Sequence, residues 1–248
     1  MLAAGKGTRM GSDLPKVLHP AAGRPLLGWV LDALDAAGCT DQIVVIGHGA
    51  DLVRAAVGQR PGVKFAVQRE QRGTGDAVAA AAELIRAACQ DESAARRPVV
   101  IVCGDSPLLR PASVTGLLEA FSQTKAACLL GTAVTDDPTG LGRIVRDGAG
   151  RFLRITEEKD ATATERAIRE VNMSTYVFAA ESLLASLEQL DTANAAGEYY
   201  LTDCPRLLLE AGEPVDAVAC LDPSETLSVN TPEQLAAVSA VLAGRPAR

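Results

Sequence analysis

The amino-acid sequence predicts an α/β fold, with a mostly parallel, doubly wound sheet and a smaller antiparallel lobe. The first observation is that short β-branched runs ending at glycine alternate with longer segments of helical spacing, as right-handed βαβ units require. The second is the composition: 48% of the 248 residues are hydrophobic but only 3% are aromatic, so Leu, Val, Ile and Ala must fill the core. The third is a hairpin pattern that replaces this alternation in the second half of the chain.

The first half of the chain contains two continuous apolar runs, at residues 42–47 and 98–105. Runs of this kind are typical of strands that are buried on both faces, as in a parallel sheet. Helical spacing predicts helices at residues 26–37, 51–57 and 75–89.

The second half predicts a mixture of hairpin and helix. The sequence Asp147-Gly148-Ala149-Gly150 favours a tight turn between two short strands. The last helix should begin with Thr231 as its N-cap and Pro232 at its first position. The predicted strands cover 126–134, 142–145, 152–156, 171–178 and 214–220, and the predicted helices cover 180–190, 201–211 and 231–243.

Residues 1–5 look like the last residues of a strand that enters a glycine loop. The first strand of such a sheet is usually central and buried. We therefore expect a longer first strand, with about four to six apolar, β-branched residues ahead of Met1, and a gap in the sheet without them.

Charge and cysteine content exclude several classes of protein. Lys and Arg number 24 and Asp and Glu 31, which gives a net charge of −7 and argues against nucleic-acid or anionic-membrane binding. The six cysteines show no C-x-x-C pair and are expected to be reduced. No signal peptide is visible and no apolar run reaches the roughly 18 residues of a membrane span, so we expect a cytoplasmic protein.

Residues 5–11, with the sequence GKGTRMG, form a glycine-rich segment that carries cations. Its spacing fits neither the dinucleotide fingerprint G-x-G-x-x-G nor the Walker loop. Small residues let backbone N–H groups approach phosphate oxygens, and Lys6, Arg9 and Lys16 bring positive charge to the same place. The segment therefore predicts a phosphate-binding loop.

This loop, LAAGKGTRM at 2–10 with LPKVLH at 14–19, resembles the signature of sugar-1-phosphate nucleotidyltransferases. Further motifs follow in order: QREQRGTGDA at 68–77, GDSPLL at 104–109, DDPTGLGRI at 136–144, EEKDA at 157–161 and GEYYLTD at 197–203. Together they resemble the uridylyltransferase domain of the bifunctional N-acetylglucosamine-1-phosphate uridyltransferases, over nearly the whole chain. The resemblance implies the nucleotide-diphospho-sugar transferase fold as one domain, 1–248. Its nucleotide-binding part covers about 1–135, its sugar-binding part about 136–230, and its C-terminal helix 231–243.

The resemblance implies that UTP and N-acetylglucosamine 1-phosphate react to give UDP-N-acetylglucosamine and pyrophosphate, for peptidoglycan precursor and cell-wall synthesis. It makes Arg9 and Lys16 catalytic, and it places Mg²⁺ on Asp105 and Asn230. The implied nucleotide-binding residues are Leu2, Ala3, Ala4, Gly5, Gln68, Gly73, Thr74, Cys103, Gly104 and Asp105. The implied sugar-binding residues are Gly142, Glu157, Asn172 and Asn230.

Residue chemistry supports several of these roles independently. The amide of Gln68 can pair with both a donor and an acceptor on a pyrimidine edge, and Gly73 and Thr74 leave room for a flat base. Asp105 ends a buried strand, where open parallel sheets place ligands, and a carboxylate suits Mg²⁺. Asn230 precedes a helix N-cap, so a capping role stands beside the metal-binding one.

Two residues depart from the pattern of the resembled family. Leu141 stands where an aromatic residue is usual, and Ser174 stands where a glycine is usual, which leaves the hexosamine less determined than the nucleotide. Glu198, Tyr200 and Thr202 either line the sugar side or simply begin a helix.

Three alternatives stay open. A related enzyme for another sugar phosphate or nucleotide would keep residues 5–16 and vary near Ser174. A non-catalytic regulatory relative should lack Arg9, Lys16 or Asp105, all of which are present. A cytidylyl- or molybdopterin-type transferase should lack the motifs at 157–161 and 197–203. Because no hexapeptide repeat is present, we expect no acetyltransferase β-helix domain and favour a monomer.

Overall fold

Strands and helices alternate along the chain in the computed structural model, which describes residues 1–89 and 96–245. The strands are β1 Leu2–Ala3, β2 Pro20–Ala21, β3 Arg24–Pro25, β4 Gln42–Ile46, β5 Val63–Val67, β6 Pro98–Ile101, β7 Cys128–Val134, β8 Arg143–Arg146, β9 Phe152–Thr156, β10 Glu170–Ala179 and β11 Val215–Val218. The helices are α1 Leu26–Ala36, α2 Ala50–Val57, α3 Thr74–Ala79, α4 Ala82–Ala88, α5 Pro111–Ser122, α6 Ala163–Arg166, α7 Ala180–Leu187, α8 Cys204–Glu210 and α9 Pro232–Ala243.

The N-terminal part of the sheet is parallel, in the order β1-β4-β5. Leu2 is opposite Val45 across the β1–β4 pair, and Gln42 is opposite Val63 across the β4–β5 pair. The end of β1 also reaches the segment after β6, because the N–H of Leu2 donates to the carbonyl of Val102 at 2.9 Å. The predicted parallel core is therefore present, and the glycine loop leaves its carboxyl edge.

The long strand β10 organises the second part of the sheet. It pairs antiparallel with β6, β7 and β8, while β11 adds to β7 in parallel and β9 pairs antiparallel with β8. A β-bulge interrupts the β10–β7 register between Asn172 and Thr175. The antiparallel pairing predicted for a lobe thus continues through β10 into the nucleotide-binding part of the sheet.

Helices cover both faces of the sheet, as a doubly wound fold requires. One core cluster packs α1, α2 and α5 against Ala3, Val44 and Ile46, and another packs α3, α4, α7 and α8 against Val45 and Ile101. Within the described residues, no helix has the length and apolar character that crossing a membrane requires.

Most predicted elements are confirmed to within a few residues. The helix predicted at 75–89 is divided at Ala80 and Ala81 into α3 and α4, and that predicted at 201–211 begins with a 3-10 turn at Leu201–Asp203. Strand β5, helices α5 and α6, and the β2–β3 pair were not predicted. The predicted N-cap of α9 is confirmed, since the Thr231 hydroxyl accepts from the N–H of Gln234.

An opening in the sheet lies where the sequence predicts a longer first strand. In the described part of the chain, β1 pairs with β4 only at Val45 and Ile46, and β6 has only β10 as a strand partner. A cavity of about 290 Å³ lies between β4 and β6. Its lining includes Leu34, Ile43, Ile85, Val99, Val100 and Leu118, from both strands and from the helices on both faces.

Candidate active site

Backbone contacts fix the segment that leads into the glycine loop. The carbonyl of Leu2 accepts from the N–H of Gly104 at 2.8 Å, and the carbonyl of Ala4 accepts from the N–H of His48 at 3.1 Å. Gly7 has φ +65°, and a Cβ there would lie 2.6 Å from the Cβ of Lys16. Glycine is therefore required at this position both by backbone conformation and by the close approach of the lysine.

The predicted catalytic and metal-binding residues form one cluster. The ammonium of Lys16 contacts a carboxylate oxygen of Asp105 and lies 2.9 Å from the amide oxygen of Asn230. The guanidinium of Arg9 donates to the same Asn230 oxygen at 3.0 Å. The N–H of Val229 donates to the carbonyl of Asp105 at 2.9 Å, which ties the segment before α9 to the end of the β6 segment.

The oxygens of Asp105 and Asn230 fit a hard divalent cation. Both already face a single positive charge, the Lys16 ammonium, so they converge on one point. Among the described residues, His, Cys, Asp and Glu do not gather in groups of three or more that would suit a metal ion. One carboxylate and one amide suit a cation that takes its remaining oxygen ligands from water and substrate phosphates, as Mg²⁺ does.

Gln68, Gly73 and Thr74 lie together beside the end of β5. The side-chain nitrogen of Gln68 donates to the carbonyl of Gly73 at 3.0 Å and to a carboxylate oxygen of Asp76 at 2.8 Å. Gly73 has φ +119°, and a Cβ there would lie 2.4 Å from the carbonyl oxygen of Tyr199. The backbone of Tyr199, in the GEYY motif, thus packs against Gly73 at one side of the predicted base pocket.

The hydroxyl of Thr74 already has a partner within the protein. It accepts from the N–H of Leu201 at 3.0 Å, and the N–H of Gly75 donates to the backbone carbonyl of Tyr199 at 2.8 Å. These bonds join the start of α3 to the segment before α8. Thr74 therefore shapes this side of the pocket through its own contacts.

Three predicted sugar-binding residues meet on the other side of the site. The N–H of Asn172 donates to the carbonyl of Gly142 at 2.8 Å. A Cβ placed on Gly142 would lie 3.4 Å from the Cβ of Asn172 and 3.7 Å from a carboxylate oxygen of Glu157. Asn230, the fourth predicted sugar ligand, contacts Lys16 and Arg9 instead.

Burial sets the protonation of two groups in the site. Burial raises the pKa of Glu157, although the Thr202 hydroxyl, which donates to it at 3.0 Å, acts in the opposite direction. Burial also raises the pKa of the Cys103 thiol to about 12, so this side chain is neutral at pH 7 and its thiolate is not available.

Ser174 occupies the bulge of β10 in a left-handed conformation, with φ +49°. A residue with a side chain is strained there, which is a physical reason for the glycine that is usual in the resembled family. Its N–H donates to the Asn172 side chain at 3.1 Å, and its side chain acts on the pKa of the Cys103 thiol in the direction opposite to burial. Ser174 thus links the predicted nucleotide and sugar sides.

Comparison with known proteins follows from this geometry. The sequence pattern of the MobA-like NTP transferase domain matches residues 1–205. The chain belongs to this family. The match covers every predicted site residue of the transferase except Asn230.

Curated relatives agree with this assignment. The chain is 46% identical over 245 residues to the bifunctional protein GlmU of Heliobacterium modesticaldum, covering 99% of this chain and 52% of that protein. It is 48% identical over 236 residues to the bifunctional protein GlmU of Burkholderia thailandensis, covering 95% and 50%. The chain spans about half the length of the curated relatives it matches. The resemblance inferred from the motifs is confirmed.

A solved structure shows that the MobA-like transferase domain has the predicted fold. A crystal structure from Bacillus anthracis, described as a glucose-1-phosphate thymidylyltransferase in complex with a sucrose, superposes with a TM-score of 0.75. It is 16% identical and covers 100% of this chain and 95% of that chain. At this identity the likeness shows the fold.

Two further side chains of this transferase domain were missed from the sequence. Asp76 holds the Gln68 amide. Arg143, only 1% exposed, donates to Glu158 at 2.7 Å and also to the carbonyl of Leu141, so it fixes the backbone on either side of Gly142. An arginine that directly follows Gly142 at the start of a strand is a signal that could have indicated the role of Arg143.

Proposed function

We propose that this chain transfers UMP from UTP to N-acetylglucosamine 1-phosphate and releases pyrophosphate. The observation that carries the proposal is the convergence of Arg9, Lys16, Asp105 and Asn230 at the carboxyl edge of the sheet. Two cations and two oxygen ligands at one point suit a reaction in which negative charge moves between phosphates. The identity to uridyltransferase relatives over this half of their length supports the same reaction.

The proposed chemistry is an in-line displacement. An oxygen of the sugar phosphate attacks the α-phosphorus of UTP, the bond to the β-phosphate breaks, and pyrophosphate leaves. Because the attacking phosphate oxygen is already ionised near neutral pH, the reaction needs no side chain to remove a proton. Catalysis then consists of positioning and charge neutralisation.

Each residue of the cluster has a part in this reaction. Arg9, in the glycine loop, meets the departing phosphates, and Lys16, in the turn that follows the loop, meets the transferred one. Asp105 and Asn230 would hold Mg²⁺, which supplies charge neutralisation on the phosphate oxygens when bound. Gln68 and Gly73 take the uracil base.

The sugar is the less constrained half of the proposal. Gly142, Glu157 and Asn172 offer room, a carboxylate and an amide for sugar hydroxyls and the N-acetyl group. The strained Ser174 beside Asn172 is the specific observation that favours a second candidate, the same transfer to a different hexose 1-phosphate.

Release of pyrophosphate, measured for four nucleoside triphosphates against several hexose 1-phosphates with Mg²⁺, tests both candidates. We expect turnover to be fastest with UTP and N-acetylglucosamine 1-phosphate. Faster turnover with another sugar phosphate would select the second candidate, and no turnover with UTP would contradict both. We also propose that the protein acts in the cytoplasm as a monomer, which fractionation and sedimentation would check.

A further inference from the structure

The orientation of the Gln68 amide is fixed by two acceptors. Its nitrogen lies 3.0 Å from the carbonyl oxygen of Gly73 and 2.8 Å from a carboxylate oxygen of Asp76. Carbonyl and ionised carboxylate oxygens only accept hydrogen bonds, so only the NH₂ end of the amide can face them. Both N–H groups of Gln68 are therefore engaged within the protein, so the prediction that its amide pairs with both a donor and an acceptor of the base is wrong for the acceptor.

The oxygen of the same amide is left for a ligand. Across the described residues, the side-chain oxygen of Gln68 accepts no hydrogen bond. This oxygen is also not fully buried, so a ligand can reach it. The residue as a whole is only 4% exposed, so the side chain has little room to turn. A base that binds against Gln68 must therefore present a donor.

Pyrimidine bases differ at the atom that would meet this oxygen. Uracil carries an N–H at position 3, which donates, whereas cytosine carries a lone pair there, which accepts. An acceptor placed against the Gln68 oxygen would leave two buried lone pairs facing each other without a hydrogen bond.

We propose that Asp76 is a positioning residue that sets the base selection of this site, because it holds the Gln68 oxygen toward the base. The inference rests on the proposed function, which places the nucleotide base against Gln68. Asp76 is suited to this role because its other carboxylate oxygen accepts from Arg72 at 2.8 Å, so the carboxylate is itself held from two sides. Hydrogen bonds to an ionised group are stronger than those between neutral groups.

The test compares UTP and CTP in variants at Asp76. Asp76→Ala removes the acceptor, and Asp76→Asn puts an amide of the same shape there, which can face Gln68 with either its oxygen or its NH₂ group. Arg86→Gln is the matched control, because it also removes an arginine from surface ion pairs, here with Glu83 and Glu188, on a side chain that is 45% exposed. Binding of UTP and of CTP without sugar phosphate is measured by calorimetry, and kcat/KM is measured for each nucleotide.

We expect the preference for UTP over CTP to fall about tenfold in Asp76→Ala, less in Asp76→Asn, and not at all in Arg86→Gln. If the preference for UTP over CTP is unchanged in Asp76→Ala, or if that variant binds both nucleotides more weakly by the same factor, the inference is overturned and Asp76 is a structural residue. If either variant fails to fold, the other decides the matter. Tighter UTP than CTP binding by a wild-type protein that forms no product would overturn the proposed reaction alone, whereas equal binding of both would overturn the inference.

Discussion

At the scale of single residues, Asp105 connects the two charged parts of the candidate site. It contacts the Lys16 ammonium, its side chain is only 17% exposed, and its backbone carbonyl holds the segment that brings in Asn230. Removal of its side chain leaves that backbone bond in place. A change at Asp105 should therefore affect turnover much more than folding.

We expect Asp105→Ala to lose at least about 90% of turnover, equivalent to roughly 1.4 kcal/mol in the transition state, while the circular dichroism spectrum stays unchanged. Pyrophosphate release with saturating substrates is the measurement. Asp216→Asn, at an exposed aspartate on β11, is the control and should keep wild-type turnover. More than about a tenth of wild-type activity in Asp105→Ala would show that another group anchors the metal.

The sugar-binding role proposed for Glu157 predicts that sugar binding depends on pH. Burial raises its pKa, so the carboxylate takes up a proton at a higher pH than an exposed glutamate does. As the pH falls through this raised pKa, the sugar hydroxyls lose a charged acceptor. We expect KM for the sugar phosphate to rise on the acid side while KM for UTP is unchanged.

Glu157→Gln should raise KM for the sugar phosphate at neutral pH and remove the rise of KM on the acid side. If KM for the sugar phosphate still rises at acid pH in Glu157→Gln, another group causes the pH dependence.

The raised pKa of Glu157 also makes the stability of the fold depend on pH. Between the ordinary and the raised pKa, the folded state binds more protons than the unfolded state. The contribution of Glu157 to the free energy of unfolding therefore decreases as the pH rises through that window.

At the scale of elements, helix α9 depends on a local cap. The Thr231 hydroxyl accepts from the N–H of Gln234, and the Gln234 side chain accepts from the N–H of Thr231. The helix buries Val238 and Leu242 against Met10, which lies in the glycine loop segment. The cap thus stabilises the helix that follows Asn230 and packs against the glycine loop segment.

We expect Thr231→Ala to lower the free energy of unfolding by about 1 kcal/mol. Thr231→Ser keeps the hydroxyl and should keep most of the stability. Denaturant unfolding of the wild type and both variants checks this. Equal losses in the two variants would indicate that the threonine methyl group, rather than the cap, stabilises the helix.

The elements that the sequence predicts well are those with local signals. Thr231 and Pro232 mark one helix start, and the β-branched runs mark β4 and β6. Helix α5 was missed even though Pro111 stands at its start. The antiparallel pairing of β10 with β6 was also missed, since pairing partners far apart in sequence leave no local trace.

At the scale of the whole molecule, the sheet has an opening between β4 and β6. It lies between helices on both faces, and Leu34, Ile85 and Leu118 line it. A segment that filled it would pair with the backbone of both strands and bury apolar surface on both faces. Each buried backbone group that gains a partner is worth about 1–3 kcal/mol.

We expect a protein with four apolar, β-branched residues joined ahead of Met1 to melt several degrees higher, because about 1 kcal/mol shifts Tm by roughly 2–4 °C in a chain of this size. An extension of four Gly and Ser residues is the control, since it adds length without apolar side chains. Thermal melts by circular dichroism compare the three proteins. Equal melting temperatures would show that the opening does not accept a strand.

The sequence by itself determined the parallel α/β core, the glycine loop, the family and the residues of the candidate site, because strand and helix periods, glycine spacing and ordered motifs are local properties. Only the tertiary structure decided which atoms of those residues are free to act. Asp76 turns the Gln68 amide, Arg143 fixes the backbone around Gly142, and the bulge gives Ser174 its left-handed conformation. These features depend on hydrogen bonds and packing between elements, and a linear pattern of residue types does not specify the direction in which a side chain points.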